Sequence, residues 1–268
     1  LTTLVKLQKD ENQLFFEKKY EGYLALHQND DLKSYYIFKE LSTTSRELSI
    51  DPDVNFYLEI AENRIKEKYF FIDETFEQKR FENANDVYFA YEYKDGSKDI
   101  VYFKGLTTIE ETGNSIQYLR DLSIVTVDSN GKIYKTMNVP YAKVLPVSVE
   151  ALNGTTKQLL EIDQKTKSIP YLMLSSVGRT DSSIKTNATF EYSNGEVSNS
   201  PNFLILPIPF EDFTMLENNT MNPQIISLLN LFKLTTKAEQ YGFSKAVFVQ
   251  VLMSRLLFPL LILILLVF

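Results

Sequence analysis

The sequence predicts a mixed chain in three parts: a helical N-terminal segment, an antiparallel β domain, and C-terminal helices of which the last enters a membrane. Three observations predict it. Apolar residues recur at helical spacing through residues 1–70. Short aromatic and β-branched runs, punctuated by Asn-Gly and Asp-Gly pairs, fill residues 84–213. The closing stretch "SRLLFPLLILILLVF" (Ser254–Phe268) has no polar residue after Arg255.

In the first part, "ENQLFFEKKYEGYLALHQN" places Leu14, Phe15, Tyr20, Leu24 and Leu26 near helical spacing. Asp30 or Asp31 can cap a second helix, whose apolar face is Leu32, Tyr35, Tyr36, Phe38 and Leu41. "DPD" (Asp51–Asp53) opens a third with an Asp cap, Pro at the first helical position and an acid in the first turn. Phe56, Leu58, Ile60, Ala61 and Ile65 form its stripe. The layout resembles a tetratricopeptide-type helix pair followed by the start of another. A plain three-helix bundle is the other reading.

The β part begins with "VYFAYEY" (Val87–Tyr93), Asp95-Gly96 and "DIVYF"; "LSIVTV" leads through Asn130-Gly131 into "KIYKTM". Asn153-Gly154 and Asn194-Gly195 punctuate the later segments. Asn, Asp and Gly tolerate the positive φ of tight turns, so four such pairs predict hairpins. No helical stretch intervenes to build parallel βαβ units. The expected architecture is an antiparallel sandwich, jellyroll or open barrel.

"LILPIPFEDF" (Leu204–Phe213), with two prolines two apart, reads as an exit strand or linker. Residues 214–242 then carry an amphipathic helix with Ile225, Ile226, Leu228, Leu229, Phe232 and Leu234 on its apolar side and Gly242 at its end. A last helix, residues 243–268, starts near Phe243–Ser244. An Arg at mid-bilayer costs about 2.5–3.5 kcal/mol, whereas one at the interface snorkels. The span is therefore placed from Arg255 onward, with Pro259 in its first turn and its remainder beyond Phe268. No Met opens the sequence and "LTTLVKLQKD" is no signal peptide, so a fragment of a longer protein is expected.

Composition narrows the chemistry. A formal net charge of −7 argues against nucleic acid as a partner, and no Lys/Arg run exceeds Lys18–Lys19. The absence of cysteine excludes disulfides and thiolate chemistry. His27 is the sole histidine; neither HExxH nor a phosphate-binding glycine loop occurs. Asp30–Asp31, Asp51/Asp53 and Glu110–Glu111 read as caps and solvated turns. No metal, cofactor or catalytic residue is assigned.

The order of a β domain, "LPIPFEDF", "MNPQIISLLNLFKLTTKAEQYGFS" and "SRLLFPLLILILL" resembles the lipopolysaccharide export permease family (the LptF/LptG type) over residues 200–268, with looser support from about residue 98. That family carries a periplasmic β-jellyroll, a juxtamembrane helix and a span opening on Arg-x-x-x-Pro, matched here by Arg255 and Pro259. The resemblance implies a permease subunit of an ABC-type exporter in a bacterial inner membrane, most of this chain being periplasmic. It implies lipopolysaccharide or a related glycolipid as substrate. The implied partners are a second permease subunit, a cytoplasmic ATPase that hydrolyses the ATP, and periplasmic bridge proteins. Val87, Phe89, Tyr91 and Tyr93, which share one strand face, then become candidates to line a lipid groove, the alternative being an ordinary core. Residues 1–70 depart from the family as a helical insertion. Two other readings stay open: a membrane-anchored protein-binding module, and an envelope hydrolase using two carboxylates about 5–10 Å apart.

Overall fold

A computed structural model describes residues 2–44, 51–76, 82–111, 114–160, 162, 165–199, 202–219, 224 and 226–267. In chain order the elements are α1 (Thr2–His27), α2 (Asp31–Thr44), α3 (Pro52–Lys66), β1 (Phe70–Phe71), β2 (Ala84–Glu92), β3 (Lys98–Glu111), β4 (Asn114–Val127), β5 (Ile133–Ser148) and α4 (Gly154–Leu159). Next come β6 (Ser168–Met173), β7 (Ser176–Val177), β8 (Lys185–Thr186), β9 (Thr189–Tyr192), β10 (Val197–Asn199), β11 (Phe203–Ile205), α5 (Phe210–Asn219), α6 (Leu228–Lys237) and α7 (Lys245–Val267). They form two compact units: Leu1–Glu74 with Ser175–Lys185, and Thr75–Leu174 with Thr186–Phe268.

In the helical unit the caps act locally, as the sequence requires. Asn29 takes a positive φ of 61°, and the Asp30 N–H reaches back to the Ala25 carbonyl at 2.9 Å, closing α1. Asp30 then accepts from the Lys33 N–H, and Asp51 from the Asp53 N–H at 2.9 Å with Pro52 at the first helical position. The face of α1 differs from the expected one. Phe15, Lys19, Gly22 and Leu26 are buried, whereas Leu14, Tyr20 and Leu24 are exposed. The inward stripe contains a lysine and a glycine, so hydrophobicity alone does not mark it. Lys19 is admitted because Asp51 and Asp53 accept from it at 2.7 and 3.1 Å. Gly22 is required by packing, since a Cβ there would stand 2.8 Å from the Phe38 ring. Tyr35, Phe38 and Leu41 on α2 and Ala61 and Ile65 on α3 are buried as expected, but Phe56 is exposed.

Residues 175–185, read from sequence as part of the β domain, belong to this helical unit. β7 pairs in parallel with β1 (Phe70 with Ser176, Phe71 with Val177), and β8 completes a three-stranded sheet. The Tyr35 and Tyr36 hydroxyls donate to the carbonyls of Arg179 and Gly178 at 2.9 and 2.7 Å. The Arg179 guanidinium lies 4.1 Å from the Phe71 ring centre.

The second unit is an eight-stranded, wholly antiparallel sheet in the order β10-β9-β5-β4-β3-β2. β6 pairs with the C-terminal half of β5, and β11 with β6. Three of the four predicted turns are hairpins of one design. In each, the glycine (Gly96, Gly131, Gly195) has φ between 81° and 83° and donates to the carbonyl three residues back. The fourth pair differs: Asn153 caps α4, its side chain accepting from the Thr156 N–H at 2.7 Å.

One row of the sheet breaks the two-residue alternation in four adjacent strands. Buried residues are three apart across it: Phe103 and Leu106 in β3, Leu122 and Leu119 in β4, Val139 and Ala142 in β5, with Val87 and the partly buried Ala84 in β2. Register is the same on both sides of the row. The exposed residues in it are Asp86, Lys104, Asp121 and Pro140, and both aspartates have positive φ (52° and 51°). Because each strand adds one residue at the same level, the interior face stays continuous without a slip in pairing.

Candidate functional site

Of the expected groove residues, Val87, Phe89 and Tyr91 lie in β2, the last strand in the sheet order, and Tyr93 follows immediately after it. Val87, Phe89 and Tyr91 are buried and Tyr93 is half-buried. The face that they share is covered by the chain's own C-terminal helices. Phe213 of α5 is fully buried, its ring 6.2 Å from those of both Phe89 and Phe103. Leu231 and Leu234 of α6, Tyr241, and Phe248 and Leu252 of α7 join the same core. In this structure Val87, Phe89 and Tyr91 therefore meet packed protein, while the half-buried Tyr93 lines a surface cavity of about 530 Å³ with Asp99 and Thr126.

At the end of β2 the apolar face turns polar. Asp99, buried on β3, accepts from the hydroxyls of Tyr91 (2.9 Å), Tyr93 (2.9 Å) and Thr126 (2.5 Å). Burial first, then the Asp99 charge, push both phenols well above their usual range, so they stay protonated donors. With three hydroxyl donors the carboxylate is satisfied, and the cluster pins the hairpin end of the sheet.

The exit from the sheet contains a helix where the sequence suggests linker and strand. Of that stretch only Leu204 and Ile205 belong to a strand, β11; α5 begins after Pro209, with Glu211 and Asp212 in its first turn. A proline succeeded by two acids is a helix-start signal. Asp212 accepts from Lys237 with both oxygens at 2.7 Å and from the Tyr241 hydroxyl at 2.5 Å, fastening α5 to the end of α6. Burial, then Asp212, drive the Tyr241 phenol upward.

The α6 helix and the first half of α7 form an antiparallel pair joined through Gly242, whose φ is 80°. On α7 the residues facing the domain are Phe248, Val251, Leu252 and Arg255, a spacing of three and four that makes one stripe. The Arg255 guanidinium donates to the Ile226 carbonyl, immediately ahead of α6. Beyond Arg255, every α7 side chain described is exposed, from Leu256 to Leu266. Residues Lys245–Leu266 form a helix long and apolar enough to cross a membrane. Pro259 is not in the first turn of its helix; it lies well inside α7. Its missing N–H removes the bond to the carbonyl four residues back, that of Arg255. The Arg-x-x-x-Pro spacing thus removes that bond at the level where the helix leaves the domain. Ile225 and Phe268 lie outside the described residues.

A feature that sequence patterns do not announce is a surface cavity of about 1010 Å³ whose lining includes Lys94, Lys157, Lys165, Lys167 and Glu150. Three of these lysines fall in an eleven-residue stretch, 157–167, interrupted by two acids, which hides the cluster from a search for basic runs. Asp30, Asp31, Asp51 and Asp53 serve as caps and ion-pair partners. The side chains of Glu110 and Glu111 lie outside those described. No family model matches this chain, and no curated protein matches it.

Proposed function

We propose that this chain is the extracytoplasmic body and membrane entry of a permease subunit in an ABC-type lipid exporter, of the lipopolysaccharide export permease type that it resembles. The observation that carries the reading is mechanical. The same helix that is built to cross a membrane is anchored in the sheet's core through Phe248 and Leu252 and leaves it at Arg255. A displacement of α7 within the bilayer is thereby passed to the packing under the sheet, because close-packed interiors transmit strain. A separate cytoplasmic ATPase supplies the energy, and a second permease and periplasmic bridge proteins complete the path. In this reading the eight-stranded sheet corresponds to the family's β-jellyroll, and α1–α3 are a tetratricopeptide-like insertion, all in the periplasm. Lipopolysaccharide or a related glycolipid is the cargo.

Since α5 fills the face bearing Phe89, acyl chains reach Val87, Phe89, Tyr91 and Tyr93 only when α5 and α6 shift. A photo-crosslinking residue at Phe89 tests this in the native membrane. Lipid adducts that disappear on energy depletion are expected. Exclusive crosslinking to the chain's own α5 under active export would sink the reading.

One observation favours a second reading, a membrane-anchored protein-binding module. Phe16, Tyr20 and Leu24 repeat every four residues on α1 and are 61%, 69% and 44% exposed. Protein adducts from Tyr20, with no lipid adducts from Phe89, would select it.

A further inference from the structure

The α6 helix carries three arcs where an ordinary amphipathic helix has two. Leu231, Leu234, Thr235 and the adjoining Ala238 are buried. Asn230, Lys233 and Lys237 form a polar arc. Leu228, Leu229 and Phe232 fall within about 100° of the remaining circumference, and all three are exposed, at 49%, 67% and 63%. Three large side chains of one short helix therefore face away from the domain, uncovered among the described residues.

Their position says what covers them. Arg255 bonds to the Ile226 carbonyl, so the first turn of α6 stands at the level where α7 leaves the domain. The exposed arc thus stands at the level where α7 becomes exposed on all its described side chains, from Leu256 onward, with Met253 already exposed one turn earlier. Because α6 runs antiparallel to the first half of α7, its residues climb away from that level by about 1.5 Å each. Phe232 sits about 6 Å above Leu228 and Thr236 about 12 Å above it. The headgroup layer on one side of a bilayer is roughly 5–8 Å deep.

We propose that the first turn of α6 is a wedge in the membrane surface. Leu228 and Leu229 sit at the acyl-chain boundary beside α7, Phe232 lies among the headgroups, and Lys233 faces their phosphates. The wedge fixes the depth at which α7 enters, with the Arg255 side chain held to protein and its carbonyl in the wet interface. This rests on the reading that α7 crosses a membrane.

The chain has no cysteine, so single-cysteine variants report without background. Leu261→Cys, Leu229→Cys, Phe232→Cys and Thr236→Cys, each carrying an environment-sensitive fluorophore, are compared in nanodiscs of zwitterionic and anionic phospholipid. The expected result is a depth order: Leu261 bluest, Leu229 next, Phe232 less, and Thr236 at the emission of water. Lipid spin-labelled near the headgroup quenches positions 229 and 232 most, and lipid labelled near the chain end quenches 261 most. Water-like emission at 229 and 232 beside an apolar signal at 261 overturns the wedge and leaves the span. Water-like emission at 261 overturns both. Blue-shifted emission at 229 that no spin-labelled lipid quenches means a protein covers the arc, and also overturns the proposal.

Discussion

Asp121 and Asp86 hold backbone conformations that L-residues avoid, at φ 51° and 52°, in one row of the sheet. Aspartate accepts this better than most residues because its short polar side chain bonds locally. Asp86 accepts from the Tyr102 hydroxyl at 2.8 Å, and Asp121 from Arg120 at 3.1 Å. Asp121→Val is therefore expected to cost about 1–2 kcal/mol in denaturant unfolding, and Asp121→Gly less. Equal costs would remove the conformational explanation. In the helical unit, burial raises the Tyr35 phenol from 10.0 to about 12. Between those values the folded chain holds a proton that the unfolded chain has released. The contribution is complete below pH 10 and is lost as pH rises toward 12. Unfolding monitored from pH 9 to 12 should show the helical unit weakening, and Tyr35→Phe should reduce that slope. At neutral pH the same variant loses about 1 kcal/mol with the bond to the Arg179 carbonyl.

The α5 helix is the element that decides whether the sheet is an open platform or a closed core. Phe213 lies between Phe89 and Phe103, fully buried. Phe213→Ala should cost about 3–5 kcal/mol and selectively loosen hydrogen-exchange protection in β2 and β3. Unchanged protection there would mean that α5 does not carry the closure. The elements divide by how local their determinants are. Hairpins at Asp95-Gly96, Asn130-Gly131 and Asn194-Gly195 are legible because the turn chemistry lies within five residues. Asn153-Gly154 has the same dipeptide but caps a helix, since the residues after it, not the pair itself, choose the outcome. The helical caps at Asp30 and Asp51 are legible for the same reason as the hairpins. The inward face of α1 is not, because it includes Lys19 and Gly22, whose burial depends on Asp51, Asp53 and Phe38 far along the chain. The parallel pairing of β1 with β7 joins residues about a hundred positions apart, and no local pattern announces it.

At the scale of the molecule, the helical N-terminal region, the antiparallel sheet and the apolar last helix are legible in the sequence. That the helices after the sheet turn back to fill its interior is not, so Val87, Phe89 and Tyr91 are packed under those helices while Tyr93 is half-buried at the sheet's end. Alternation reports which side of a strand is apolar and is silent on what covers that side. We propose that α7 carries the chain into a membrane while the sheet stays on the extracytoplasmic side. Cysteine accessibility bears on this without interference from these 268 residues, which contain no thiol. Asn130→Cys and Asn194→Cys place thiols in exposed hairpin turns, and Leu261→Cys places one on the exposed half of α7. In spheroplasts treated with a membrane-impermeant maleimide, labelling is predicted at positions 130 and 194 before lysis and at 261 only once detergent is added. Labelling at 130 and 194 only after lysis, or at 261 in intact spheroplasts, would contradict it.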